Sequence, residues 1–240
     1  MTSSTYVALS AQIGLERRLN TIAHNVANMN TAGFRAEEVK FEAVMTRAGI
    51  GEVAFSSAGE SFISRRAGLV NHTGNPLDVA IDGDAWFAFA TPGGAAYTRD
   101  GRLHLTANGE LKTSAGYDVL DPGGTAILLD PAGGEVSIAA DGTISQGGRA
   151  VSALGLFLIP ETTALGRFEN SGVVPNGPVQ PVEDLTANSV RQGYVEGANV
   201  NPIMEITKLV MLSRAFESAA SAVEQSEGTQ QAALRTLGPA

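Results

Sequence analysis

The 240-residue chain contains no cysteine. That excludes a disulfide framework, every thiolate metal site and a cysteine nucleophile. Histidine is almost as scarce. His24, His72 and His104 stand far apart, with no HExxH or HxH spacing, so each reads as a packing or surface residue and no metal centre is legible. The chain has no GxSxG elbow and no phosphate-cradling P-loop. Asp82 and Asp84 flank Gly83 without the rest of a calcium-loop series, and read as turn residues. No apolar stretch approaches the roughly 20 residues of a membrane-spanning helix; the longest, 151–159, is broken by Ser152 and Gly155. The N-terminal stretch has no basic residue before Arg17 and no apolar core region, so no cleaved secretory signal is expected. Positive charge is also short: 16 Lys and Arg face 25 Asp and Glu, a formal charge of −9. This argues against a nucleic-acid binder and against a polybasic membrane-surface protein. No catalytic, cofactor-binding or metal-binding residue is assigned.

What is present is unevenly distributed. Residues 1–49 hold five basic and four acidic side chains, residues 50–200 hold eight and seventeen, and residues 201–240 hold three and four. Of the 28 glycines, 23 fall in the middle segment. Near-neutral, glycine-poor ends around an acidic, glycine-rich centre read as helix, β-domain, helix. The expected fold class is α+β: two terminal heptad helices, coiled-coil-like, flank a central all-β domain. The expected boundaries are 1–49 for the first helix and its turn motif, 50–200 for the β-domain and 201–240 for the last helix.

The helices rest on periodicity. Leu15, Leu19, Ile22, Val26 and Met29 are spaced 4, 3, 4, 3, and Leu209, Leu212, Phe216, Ala219 and Val223 are spaced 3, 4, 3, 4. Both are a/d seams. The first helix should stop near Asn30 to Gly33, where Gly33 can take the left-handed conformation. Asn201 can cap the last helix, and Pro202 suits its first position. Isolated helices of this length are marginal in water, so each stripe needs a partner surface.

The β-domain rests on turn chemistry. Asp82-Gly83, Asp100-Gly101, Asn108-Gly109, Asp141-Gly142 and Asn176-Gly177 recur between short apolar runs, the strongest local hairpin signal. Strands are expected at 77–81, 86–90, 126–129, 135–138 and 154–159, with Leu103 and Leu105 alternating against polar neighbours. The segments 49–60 and 170–183 are rich in Gly, Ser or Pro and read as connectors. Trp86, Phe87 and Phe89 form an aromatic cluster that reads as core.

Four segments together carry a family resemblance. Ala27-Asn28-Met29-Asn30-Thr31-Ala32-Gly33-Phe34-Arg35, at the end of the first seam, resembles the signature of the flagellar rod and hook axial proteins. Val195-Glu196-Gly197-Ala198-Asn199-Val200-Asn201-Pro202 resembles the family's lead into the last helix. Gly83-Asp84-Ala85-Trp86-Phe87 and Tyr97-Thr98-Arg99-Asp100-Gly101-Arg102 are similar to its central β-domain. The resemblance covers nearly the whole chain in the expected order. Tyr6 to Ser10, the compact length and Lys208 to Glu217 are most similar to proximal-rod members.

The resemblance implies a non-enzymatic structural subunit of the bacterial flagellar basal-body rod. It implies partners in copies of itself and other rod subunits, and the flagellar type III export apparatus during secretion. It implies a periplasmic location reached without a cleaved signal, transmission of torque for motility, and no cofactor, no nucleic acid and no membrane insertion. The ten seam residues become the expected polymerisation surface. Asn28, Asn30, Thr31, Gly33, Phe34, Glu196, Asn199, Val200, Asn201 and Pro202 become the expected family-motif positions. A distal-rod or hook-type axial paralogue is the alternative. A peptidoglycan-acting enzyme is a further one, resting on the abundance of carboxylates alone.

Overall fold

The computed structural model describes residues 2–40, 43–48, 51–56, 60–185 and 187–237; the side chains of residues 2–9, 11, 43–56, 222, 226–227 and 229–237 lie outside the described set. Two helices, α1 (Thr2–Ala27) and α2 (Pro202–Leu237), bracket a chain of short strands. The residues group into two compact units. One comprises residues 1–27, 37–62 and 201–240, and the other residues 28–36 and 63–200.

In the first unit α1 and α2 pack on one another. Asn201 begins α2 as its sequence suggests: its Oδ1 accepts the Met204 N–H at 3.2 Å and its carbonyl accepts the Glu205 N–H at 3.0 Å. The first bond satisfies an N–H that a helix start leaves open, and the second is the first backbone bond of the helix. Pro202, with no N–H to lose, is the first helical residue. The strand Ala43–Ala48 pairs antiparallel with Gly51–Ser56. This corrects the reading of 49–60 as a connector. Its first half is a hairpin strand, because Val53 and Phe55 lie within a backbone ladder running from Ala43 to Ala48.

The second unit is β-rich. Its largest sheet has six strands, in the order Leu165–Phe168, Gly172–Pro175, Gly94–Thr98, Trp86–Thr91, Leu156–Leu158, Gln180–Pro181. Segment 170–183 therefore contributes two strands rather than a connector. Gly172 belongs there for a steric reason: a Cβ at this position would meet the Phe168 carbonyl at 2.7 Å. The strand Trp86–Thr91 explains its own unbroken apolar run. Phe87 enters a core with Val79, Leu111, Ile127, Ile144 and Leu154, while Trp86 and Ala88 enter another with Tyr97, Leu120 and Val173. A strand buried on both faces cannot alternate polar with apolar.

Expected strand positions and observed ones differ mainly at the ends. The strand near 77–81 is Val79–Asp82, and the one near 154–159 is Leu156–Leu158. Residues 126–129 are held by single bridges, Leu120 with Ala126 and Glu110 with Leu128, rather than by a continuous ladder.

Candidate functional site

The second unit carries a buried ionic junction between distant parts of the chain. α1 ends at Ala27, so Met29 lies in the turn after the helix and not on its last seam position. That turn closes when the Thr31 N–H donates to the Asn28 carbonyl at 3.0 Å and Thr31 Oγ1 to Asn28 Oδ1 at 3.2 Å. The Asn28 side chain thus ties the turn through the Thr31 hydroxyl, beside the backbone bond. Gly33 follows with φ of +65°. A side chain there would be strained twice over, since a Cβ would sit 2.1 Å from the Asp100 backbone nitrogen.

This close approach brings residues 33–36 against 196–199. The Gly33 N–H donates to the Glu196 carbonyl at 2.8 Å, the Asn199 N–H to the Phe34 carbonyl at 3.2 Å, and the Ala36 N–H to Asn199 Oδ1 at 2.6 Å. Asn199 Nδ2 donates in turn to the Arg66 carbonyl at 2.8 Å. Phe34 is fully buried, with the Arg167 guanidinium 4.7 Å from its ring centre. Of the expected motif positions, Asn28, Gly33, Phe34, Glu196 and Asn199 are brought together in this unit. Thr31 and Val200 are half-buried and Asn30 is exposed. Asn201 and Pro202 belong to the start of α2.

At the centre stands Glu196, 1% exposed, between two arginines that are 2% exposed. Arg35 Nη2 meets Glu196 Oε1 at 2.7 Å, and Arg99 Nε donates to Oε2 at 2.8 Å. The Gly68 N–H adds a third bond to Oε1 at 2.9 Å. The guanidiniums also donate to backbone carbonyls, Arg35 to Arg66 and Arg99 to Ala85 and Gly83. Both lie near the face of Trp86, at 5.6 and 6.0 Å from its ring centre. Burial holds Arg35 down to about 10, well below an ordinary arginine; Glu196 pulls the value back up, and the like charge of Arg99 lowers it further. Arg35 remains cationic at neutral pH, so one carboxylate serves two buried cations.

Beside this cluster Asp100 grips Arg102 through two bonds, Nε to Oδ1 at 2.9 Å and Nη2 to Oδ2 at 2.7 Å. Ser114 Oγ donates to Asp100 Oδ2 at 2.8 Å. The hydrogen bond to Asp100 raises the Arg102 guanidinium above its usual range. The turn bearing Asp100, between the strands Gly94–Thr98 and Leu103–Leu105, is thus held, and so is the backbone that Gly33 rests on.

The helical unit has its own site. Of the expected seam residues there, Ile22 and Leu212 are buried, and Leu15, Leu19, Val26, Leu209, Phe216, Ala219 and Val223 are half-buried. A polar group lies among them. The Asn25 amide reads the Glu37 backbone in both directions, Nδ2 to its carbonyl and Oδ1 from its N–H, each at 2.9 Å. Asn25 Nδ2 also reaches Glu205 Oε2 at 3.5 Å, and Lys208 Nζ donates to Glu205 Oε1 at 2.6 Å. α2 carries a second apolar stripe. Ile203, Met204, Ile206, Val210 and Met211 are exposed, Ile203 at 78% and Met211 at 66%. At about 3.6 residues per turn they lie on the side of α2 opposite Glu205, Leu209 and Leu212.

Periodicity alone missed the roles of Asn25, Arg35, Arg99 and Glu205. The available signal was local. Charged residues sit inside otherwise apolar or turn-forming motifs, Arg35 after Phe34 and Glu196 after Val195.

A β-rich unit whose two chain ends meet at a buried junction, flanked in sequence by terminal helices that pair, is the arrangement expected of an axial structural subunit. Comparison with known proteins narrows the class. Residues 6–35 match the family described as flagella basal body rod protein, residues 80–146 the flagellar hook protein FlgE/F/G D1 domain, and residues 191–236 the flagellar basal body rod FlgEFG protein C-terminal region. The chain is 47% identical over 238 residues to the flagellar basal-body rod protein FlgF of Mesorhizobium japonicum, covering 99% of both. It is 47% identical to the FlgF of Rhizobium meliloti over the same share of each chain. It is 34% identical over 243 residues to that of Caulobacter vibrioides, again covering 99% of both. The chain belongs to the flagellar basal-body rod protein family.

Proposed function

We propose that the chain polymerises through its paired terminal helices as a proximal-rod subunit of the flagellar basal body, where it forms part of the shaft that transmits torque. The observation that carries this reading is the two-sided helix α2. One face packs with α1, and the other presents Ile203, Met204, Ile206, Val210 and Met211 to solvent. A contiguous exposed apolar face marks an interaction surface. A face matched to a different surface on the next copy gives a head-to-tail contact that does not close, and such contacts build filaments. The expected coiled-coil geometry of the nine seam residues that lie on α1 and α2 belongs to this proposal. So do the periplasmic location, export through the flagellar type III apparatus without a cleaved signal, and a role free of catalysis. Among the described residues no helix is long and apolar enough to cross a membrane.

The test is substitution on the exposed face. Val210→Asp with Met211→Asp should leave the monomer folded, because both residues are exposed, and should lower incorporation into rods at least about tenfold. Immunoblots of purified basal bodies read incorporation, and circular dichroism reads folding. Normal incorporation of the folded double variant would contradict the reading.

A further inference from the structure

We propose that the cavity beside the Arg35–Glu196–Arg99 cluster is a binding site for one small free oxyanion, of carboxylate or phosphate type. The cavity measures about 70 Å³ and is lined by Arg35, Arg65, Arg99, Trp86, Asp84 and Glu161 among others. Three observations point to an anion. Two buried guanidiniums share a single carboxylate, and both oxygens of Glu196 are already engaged. The Arg35 Nε–H is buried and has no hydrogen-bond acceptor; leaving a buried charged donor unmade is costly. Arg65 adds a third guanidinium, held in place by the carbonyls of Ile159 at 2.8 Å, Pro160 at 3.0 Å and Thr163 at 2.7 Å.

Burial lowers Arg65 from its usual range, and the charges of Glu161 and Asp84 pull it back up. Guanidinium forks match the oxygens of carboxylate and phosphate. Asp84 and Glu161 oppose an anion, but both are exposed, and water and salt screen exposed charges more than buried ones. The cavity is several times the roughly 10–15 Å³ that one water requires, and all its named lining residues belong to one unit. A free ion therefore suits it better than a side chain from another copy. The site is independent of the axial role, since it lies within a single chain.

The chain supplies its own probe, because Trp86 is its only tryptophan and lines the cavity. Inorganic phosphate is titrated into the full-length monomer at constant ionic strength while Trp86 fluorescence is followed. A saturable change is expected. Arg65→Gln should weaken the apparent affinity at least about fivefold, through loss of a close charge. Glu161→Gln should tighten it roughly twofold to fivefold, the range of an exposed charge pair. The second variant alters an exposed side chain and tests the site without threatening the fold. No saturable change in the wild-type chain would overturn the proposal. So would equal affinity in all three folded proteins.

Discussion

Glu196 holds its place by charge as much as by shape. A buried ion pair gains little over well-packed apolar side chains, but removing one partner leaves a buried charge uncompensated. Here the partner removed would serve two cations at once. Glu196→Gln is therefore expected to destabilise the chain by roughly 3–5 kcal/mol, measured as a shift in the urea midpoint at unchanged slope. A loss under about 1 kcal/mol would mean that the carbonyl bonds of Arg35 and Arg99 carry the junction unaided. A smaller residue-scale effect concerns pH. The Thr143 N–H donates to Asp141 Oδ1 at 2.9 Å and holds that carboxyl below its ordinary 3.8. A folded value below the unfolded one means that the unfolded chain binds more protons in this range. The contribution is present above the ordinary value and falls away as acid takes the pH down through the folded one. Asp141→Asn should flatten the loss of stability on acidification from about pH 4 to pH 2, followed by thermal unfolding at each pH. An unchanged acid limb would show that Asp141 contributes nothing to it.

At the scale of elements, the end of α1 is fixed by a side chain imitating a strand. Asn25 meets both backbone groups of Glu37, so the chain leaving the motif is bonded to the helix before it. Asn25→Ala leaves that N–H and carbonyl without the amide, and should cost about 1–3 kcal/mol. Amide hydrogen exchange should show the loss at Glu37 first, and unchanged protection there would rule this anchoring out. Both helices were legible in the sequence, since 3- and 4-residue spacing over two heptads has few other readings. So was the strand at Trp86, although its two-faced burial explains its run of apolar residues better than a single core does. The strands at Gly172 and Gln180 were not legible. Their glycine and prolines signal breaks, and only the carbonyl of Phe168 reveals why a glycine is required there. The triad of Arg35, Arg99 and Glu196 was equally hidden, because 161 positions separate its ends and no local pattern pairs charges so far apart. The exposed stripe on α2 escaped because its residues interleave with a stronger seam.

At the scale of the whole molecule, composition and function agree. The excess of acid and most of the glycine lie between residues 50 and 200, in the segment that supplies most of the β-rich unit. The glycine-poor ends supply two helices that pack on one another, and α2 leaves an apolar face exposed. A chain without cysteine cannot cross-link wrongly in an oxidising compartment, which suits a subunit proposed to assemble in the periplasm. Near-complete alignment with FlgF proteins at 47% identity extends the agreement from the motifs to the full length. The most direct measurement of helix-mediated assembly is cryo-electron microscopy of basal bodies containing this chain, at a resolution that shows side chains. Ile203, Ile206, Val210 and Met211 should be buried against helices of neighbouring subunits in the proximal rod, with Leu212 still packed toward α1. A rod in which these four residues face solvent, while the subunits meet through their β-rich units alone, would contradict it.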